Sequence, residues 1–298
     1  AGPHIDATVS PNATRLYVVS SRRTGAGDEL VGYVAATGEE RWRVTLRGHV
    51  APSENGGAPT IGTVQDGRVV YMLSSSGESE RSLQWFDASN GTPIGELSGL
   101  PDCRMRIHES DNPEQLYVVC LGDEPVTVFD VQSSTSLGSI PGVSGAVVGA
   151  VNSPDHQQLY IVTEHDGLYL VAVVDMFARR VTEQRDIVHL DRDPLLSLGL
   201  VALSPDGSRL FVGLGYERPG EAPFADEVWV WDAVTLEPAG HLVADSVVTG
   251  NGLIALDTQN VVAIHSSDGS SAVVRIGLDA GTIVTRDSET IVRVLASP

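Results

Sequence analysis

Six segments of this chain repeat one pattern, and that repetition constrains the fold more than any other feature. The pattern is strand, turn, strand, loop, strand, turn, strand. The clearest copy runs LGLVALSPDGSRLFVGLG and then EVWVWDAVTLEPAGHL. IDATVSPNATRLYVVSS with ELVGYVAATGEERWRVTL, and VVGAVNSPDHQQLYIVTE with LYLVAVVDMFARRVTEQ, follow it closely. TIGTVQDGRVVYMLSS, RMRIHESDNPEQLYVVCL and GLIALDTQNVVAIHSS open the other three segments. The cores LYVV, VVYML, LYIV and LFVG are β-branched and aromatic, which favours strands.

The turns have a mechanism of their own. In Ser204-Pro205-Asp206-Gly207, proline presets φ and glycine supplies φ > 0. Ser10-Pro11-Asn12 and Ser153-Pro154-Asp155 begin the same way. The first-turn positions Ser10, Asp66, Asp111, Ser153, Ser204 and Asp257 recur 42 to 56 residues apart. A propeller blade takes about 40–45 residues, and long loops such as GYERPGEAPFADE supply the excess. One four-stranded sheet cannot bury both apolar faces, so such sheets pack radially.

The chain is therefore expected to be all-β, a single β-propeller domain over residues 1–298 with four-stranded blades. Six blades is the preferred count and seven the alternative. IVRVLASP at the C-terminus can be read as a further first strand. However, TIVTRDSETIVRVL aligns with RRVTEQRDIVHL after the fourth segment, which makes it the outer strand of the sixth.

VALSPDGSRLFVGLG with EVWVWDAVTLEPAGHL resembles the YVTN-type repeat of bacterial propellers, and SPNATRLYVVS and SPDHQQLYIVT repeat the resemblance. The likeness spans nearly the whole chain. It implies a fold shared with surface-layer proteins and quinoprotein amine dehydrogenase-like propellers, and it carries no catalytic residue across. Trp231-Asp232 occurs in one segment without a matching Gly-His, so the repeat does not read as WD40.

Charge narrows the partners. A formal net charge of −20 repels phosphate backbones and anionic membrane surfaces, so no nucleic acid is expected. All 19 basic residues are arginine, which excludes Schiff-base lysine chemistry and a P-loop. An arginine-only set of cations fits a high-GC bacterial coding bias. No run of 18 apolar residues exists, so no direct membrane insertion is expected from this segment.

Cys103 and Cys120 flank a segment whose midpoint, Asp111-Asn112, has turn chemistry. A hairpin there sets the two cysteines opposite each other, and a disulfide is expected over two free thiols. That pairing points to an extracytoplasmic location, whether periplasmic, secreted or on the cell surface.

By analogy with other propellers, loops between second and third strands, and between blades, share one face. Those loops are long, rich in acids, and hold His49, His165, His189 and His265. Glu164-His165-Asp166, with His265 and Asp268 in the matching loop of the sixth segment, form a candidate divalent-cation site. The plainer alternative is a solvated acidic loop. Arg104, Arg106 and His108 alternate on one innermost strand, so all three share a face. These three basic groups form a candidate site for a carboxylate or phosphate ligand, against pairing with neighbouring acids such as Asp6. Asp191 and Asp193, in an inter-blade loop, are a separate candidate that places a carboxylate at the channel mouth, against a solvated turn with local ion pairs.

No Gly-x-Ser-x-Gly elbow, Cys-x-x-Cys-His or His-Glu-x-x-His occurs, so no catalytic residue is assigned. The expected function is a non-enzymatic binding or scaffold domain that recognises a protein or small molecule on the loop-rich face. No cofactor is evident. The alternatives are a metal-assisted lyase or hydrolase at the acidic channel mouth, and a propeller subunit of a quinoprotein-type dehydrogenase.

Overall fold

The computed structural model describes residues 5–20, 28–46, 49–50, 61–64, 67–75, 81–100, 103–123, 126–189, 200–216, 224–248, 250–255, 260–267, 270–277 and 283–288. They form 25 strands and no helix. Sheet 1 holds β1 (Ile5–Val9), β2 (Arg15–Ser20), β3 (Glu29–Val34) and β4 (Glu40–Thr45). Sheet 2 holds β5 (His49–Val50), β6 (Ile61–Val64), β7 (Val69–Ser75), β8 (Arg81–Asp87) and β9 (Pro93–Leu100). Sheet 3 holds β10 (Arg104–Glu109), β11 (Gln115–Leu121), β12 (Thr127–Asp130) and β13 (Thr135–Ser139). Sheet 4 holds β14 (Ala146–Asn152), β15 (Gln158–His165), β16 (Leu168–Asp175) and β17 (Arg180–His189). Sheet 5 holds β18 (Leu200–Leu203), β19 (Arg209–Tyr216), β20 (Phe224–Asp232) and β21 (Pro238–Val248). Sheet 6 holds β22 (Gly250–Ala255), β23 (Asn260–Ser267), β24 (Ser270–Gly277) and β25 (Ile283–Ser288).

Each sheet follows chain order, so every expected hairpin forms. Sheet 2 departs from the four-strand pattern. Its innermost position is shared by β5, opposite Ser74 and Ser75 of β7, and β6, opposite Val69 to Met72. The sequence reading placed His49-Val50 in a loop, and the structure corrects that. Two residues are too short for a periodic signal, and their pairing comes from β7.

Packing divides the chain into two compact units. One runs to Val118 and adds Thr127–Gly138; the other comprises Val119–Val126 and the residues from Ser139 to Ala296. In the first unit β1 lies beside β6, and in the second β14 lies beside β18 and β18 beside β22. Innermost strands thus neighbour innermost strands inside each unit.

The core between sheets 1 and 2 is built from Tyr17, Leu30, Trp42, Ile61, Val70, Met72 and Phe86. Between sheets 4 and 5 it is built from Tyr160, Tyr169, Val171, Leu210, Val212 and Trp231. Each of these large apolar side chains contributes about 1.5–3 kcal/mol when buried. Indole rings need room that glycine provides. Gly32 pairs with Trp42, and Trp85 with Gly95, so large and small residues exchange strands between sheets 1 and 2. A Cβ on Gly32 would come 2.5 Å from the Trp42 ring.

Polar contacts tie the sheets together at repeated places. Arg15, Tyr17 and Trp42 of sheet 1 all donate to the Ala88 carbonyl of sheet 2, at 2.5, 3.3 and 3.2 Å. In the second unit, Tyr160 of sheet 4 donates to the Ala233 carbonyl of sheet 5 at 3.2 Å. Tyr17 and Tyr160 are the tyrosines of LYVV and LYIV, and Ala88 and Ala233 each follow the aspartate ending a third strand. The repeated tyrosine is therefore an inter-sheet clamp.

Candidate functional site

At one end of the sheets, polar side chains are absorbed by their own turns. Ser10, Ser153 and Ser204 each accept an amide hydrogen bond from the residue five positions on, at 3.0, 2.9 and 2.8 Å. Their hydroxyls donate to Asn12, Asp155 and Asp206 at 2.8, 2.6 and 2.6 Å. The serine hydroxyls hold the Asp155 and Asp206 carboxyls below the usual range. Asp87, Asp130 and Asp232 cap the outer hairpins in the same way. Asp87 accepts the Ser89 hydroxyl and amide, Asp130 the Ser133 amide and hydroxyl, and Asp232 the Thr235 amide. These bonds depress all three carboxyls. These acids thus serve as caps of their own turns.

The opposite end holds the candidate residues. Glu164, His165 and Asp166 sit at the β15–β16 hairpin. His165 pairs with Leu168, and Asp166-Gly167 form the tip with φ of 51° and 78°. Positive φ at both central residues is the type I′ turn that Asp-Gly favours. The Glu164 carboxylate accepts the Gly167 amide at 2.7 Å. His165 Nε2 lies 3.5 Å from Asp166 Oδ2, with both side chains more than two-thirds exposed. The hairpin thus gives Glu164 and Asp166 structural work. Among the described residues, no group of three His, Cys, Asp or Glu is gathered to hold a metal ion. Asp268 lies outside the described residues, and so does the side chain of His265 in β23.

Arg106 and His108 share one face of β10, and Met105, just before them on the other face, is buried. The Arg106 Nε and His108 Nε2 atoms are shielded from solvent. Glu109 ends the same strand. It and Asp6 of β1 lie near the buried Tyr71 hydroxyl, whose ionisation is pushed up by burial first and by these two carboxylates second. The inner strands of the first unit thus carry charge of both signs. The Arg104 side chain, Asp191 and Asp193 lie outside the described residues.

Cys103 and Cys120 form a disulfide in sheet 3. Arg81 of β8 donates to the Cys103 carbonyl at 2.7 Å, which fixes the entry to β10. Asp28, fully buried at the start of β3, accepts the Val50 amide at 2.5 Å. Its carbonyl accepts the Leu46 amide at 2.8 Å, so Asp28 organises the crossing from sheet 1 to sheet 2.

One cavity in the first unit was not anticipated from the sequence. It measures about 230 Å³ and is lined by Val44, Thr45, Gln84, Phe86, Pro93, Ile94, Gly95 and Glu96. Counting back from the aspartate that ends the third strand, Gln84-x-Phe86 of sheet 2 corresponds to Trp229-x-Trp231 of sheet 5. In sheet 5 the two indoles stack, with centroids 6.0 Å apart. In sheet 2 the Gln84 amide turns instead to Ser74 Oγ at 2.9 Å, and Ser74 lies 2.8 Å from Ser82 Oγ. An amide thus stands on the cavity lining where sheet 5 carries an indole.

No family model and no curated protein matches the chain. Solved structures do. The chain is similar to hydrazine synthase of Kuenenia stuttgartiensis, with a TM-score of 0.64 and 20% identity over 92% of this chain and 76% of that one. It is also similar to the Cps50 (Swd1) β-propeller domain of Myceliophteria thermophila, with a TM-score of 0.62 and 12% identity over 98% of this chain and 88% of that one. At these identities the likeness concerns fold alone, and the fold is a β-propeller.

Proposed function

We propose that the chain is a six-bladed, YVTN-type β-propeller acting as an extracytoplasmic recognition or scaffold domain. Binding is assigned to the end opposite the Ser-Pro turns. The observation that carries this reading is the asymmetry between the two ends. At the turn end, serines and aspartates are consumed in capping. At the other end, connections vary in length, from one residue between β21 and β22 and two at Asp166-Gly167 to ten between β17 and β18. A rigid frame with variable loops is the usual way to build a binding surface. The disulfide supports an exported location, because cytosolic thiols are kept reduced.

Site-specific photocrosslinking in the native host tests the assignment. A photoreactive residue at Asp123 or Asp166 reports on the loop end, and one at Ser89 or Gln132 on the turn end. Discrete adducts to a different protein are expected from the first pair and none from the second; adducts between copies of this chain do not bear on the assignment. Adducts only from the turn end, or none from either pair, overturn the assignment.

A further inference from the structure

We propose that this protein associates with itself head to tail, the Phe177 hairpin tip of one copy seating in the Gln84–Ile94 groove of the next. The inference is independent of the loop-end assignment above.

The groove has the size and chemistry for one aromatic side chain beside a cation. Its volume of about 230 Å³ falls below the ~300–1,000 Å³ of small-molecule pockets. Val44, Phe86, Pro93 and Ile94 give it apolar walls, and Glu96 places a carboxylate on its lining. Ile94 is 52% exposed, so the apolar surface continues out to the rim.

The chain carries the complement on its other unit. Met176-Phe177-Ala178-Arg179 form the tip between β16 and β17, and Arg180 follows. Phe177 is 78% exposed, the most exposed large apolar side chain among the described residues. Arg179 and Arg180 are exposed beside it, in a chain whose net charge is −20. The corresponding tip positions elsewhere are Ala36, Ser89, Gln132 and Val234, so this tip alone of the five described pairs an aromatic ring with cations.

The tip is also rigid. Met176 is fully buried beneath it, and the Asp175 carboxylate accepts the Ala178 amide at 2.7 Å. Little conformational freedom is therefore lost when Phe177 is captured, which is what an anchor residue needs. The tip and groove are different surfaces of one chain, so the contact is heterologous and propagates as a ring or an open array. A single anchor gives a weak contact at the low end of interface size.

Sedimentation equilibrium at about 0.15 M salt, where screening over ~8 Å removes long-range repulsion between acidic copies, is the test. The wild type is expected to rise above the monomer mass of 31.5 kDa as protein increases from about 10 μM to about 1 mM. Phe177→Ala and Ile94→Arg change exposed residues on opposite partners, and each is expected to raise the dissociation constant at least tenfold. Mixing the two variants restores one intact tip and one intact groove. A one-to-one dimer that grows no further is then expected. A wild type that stays monomeric, a Phe177→Ala variant that associates as the wild type does, or a mixture that forms no dimer each overturns the proposal.

Discussion

Leu236 and Ala13 occupy equally unfavourable backbone conformations, and replacing each by glycine is expected to change stability in opposite directions. Both lie in the left-handed region, with φ of 53° and 54°. The first-hairpin turns need such a residue three positions after the opening serine. Ala13 and His156 occupy this place in two sheets and Gly207 in a third. The outer hairpins need one four residues after the last strand residue, where Gly38, Gly91, Ser134, Arg179 and Leu236 stand. A non-glycine residue there costs about 1–2 kcal/mol, and glycine returns about 0.5–1 kcal/mol through its freer unfolded chain. Ala13 is exposed, so Ala13→Gly is expected to stabilise by about 0.5–1 kcal/mol. Leu236 packs in the core between sheets 4 and 5 and is 1% exposed. Truncating a buried leucine costs about 2–5 kcal/mol, which exceeds the backbone relief. Leu236→Gly is therefore expected to destabilise by about 2–4 kcal/mol. Urea unfolding followed by tryptophan fluorescence reads both, since Trp42 and Trp85 lie in one unit and Trp229 and Trp231 in the other. The reasoning is refuted if Ala13→Gly lowers the midpoint, or if Leu236→Gly leaves it unchanged.

Acid should unfold the protein through its turn carboxylates. Asp87, Asp130, Asp155, Asp206 and Asp232 have depressed folded-state pKa values, so their contribution is complete above the unfolded value of about 3.9 and is lost as pH falls through the folded values. The urea midpoint is expected to fall steeply below about pH 4, and Asp206→Asn to flatten that slope. Alkylation of protein from the native host is expected to label no cysteine until reductant is added, and Cys103→Ser with Cys120→Ser to cost about 3 kcal/mol, as for a loop of about 15 residues. Full labelling without reductant counts against export. Glu164→Gln preserves an acceptor for the Gly167 amide, so stability within about 0.5 kcal/mol of wild type is expected, whereas Glu164→Ala costs about 1 kcal/mol. A divalent cation present in stoichiometric amount in wild type and absent from Glu164→Gln, by elemental analysis, would instead assign this hairpin a metal.

The sheets are legible in the sequence because their determinants are local. A Ser-Pro-Asp-Gly turn is specified by four consecutive residues, and the alternation on either side sets the strand register. Asp166-Gly167 belongs to the same class of signal, and reading it as a type I′ tip explains Glu164 and Asp166 without invoking a ligand. His165 then becomes an exposed position beside a turn. The disulfide is legible for a related reason, since a hairpin midpoint predicts which residues face each other. The inter-sheet clamps are only half legible. Tyr17 and Tyr160 stand out as repeated aromatics within strand cores, but their acceptors lie 71 and 73 residues away. Only the packed sheets reveal that the repeated tyrosine serves a neighbour.

The groove is different in kind, because no local pattern encodes it. Gln84 is unremarkable within SLQWFD, a strand buried on both faces. It becomes significant only when its register in sheet 2 is set beside that of Trp229 in sheet 5. One strand then supplies an indole to the space between sheets and the other supplies an amide that turns back to Ser74. In a repeat protein each sheet meets its neighbour through equivalent positions, and Val31, Gln84, Thr127, Ala172 and Trp229 show how widely this one varies. The same comparison isolates Phe177, since Ala36, Ser89, Gln132 and Val234 stand at the corresponding position of the other described tips. Repetition conserves the frame, and function-bearing exceptions appear as departures from the repeat. On that argument, Gln84→Trp is a direct probe of the groove: it restores the residue type found in sheet 5 and closes the cavity with an indole that has a precedent in the same fold.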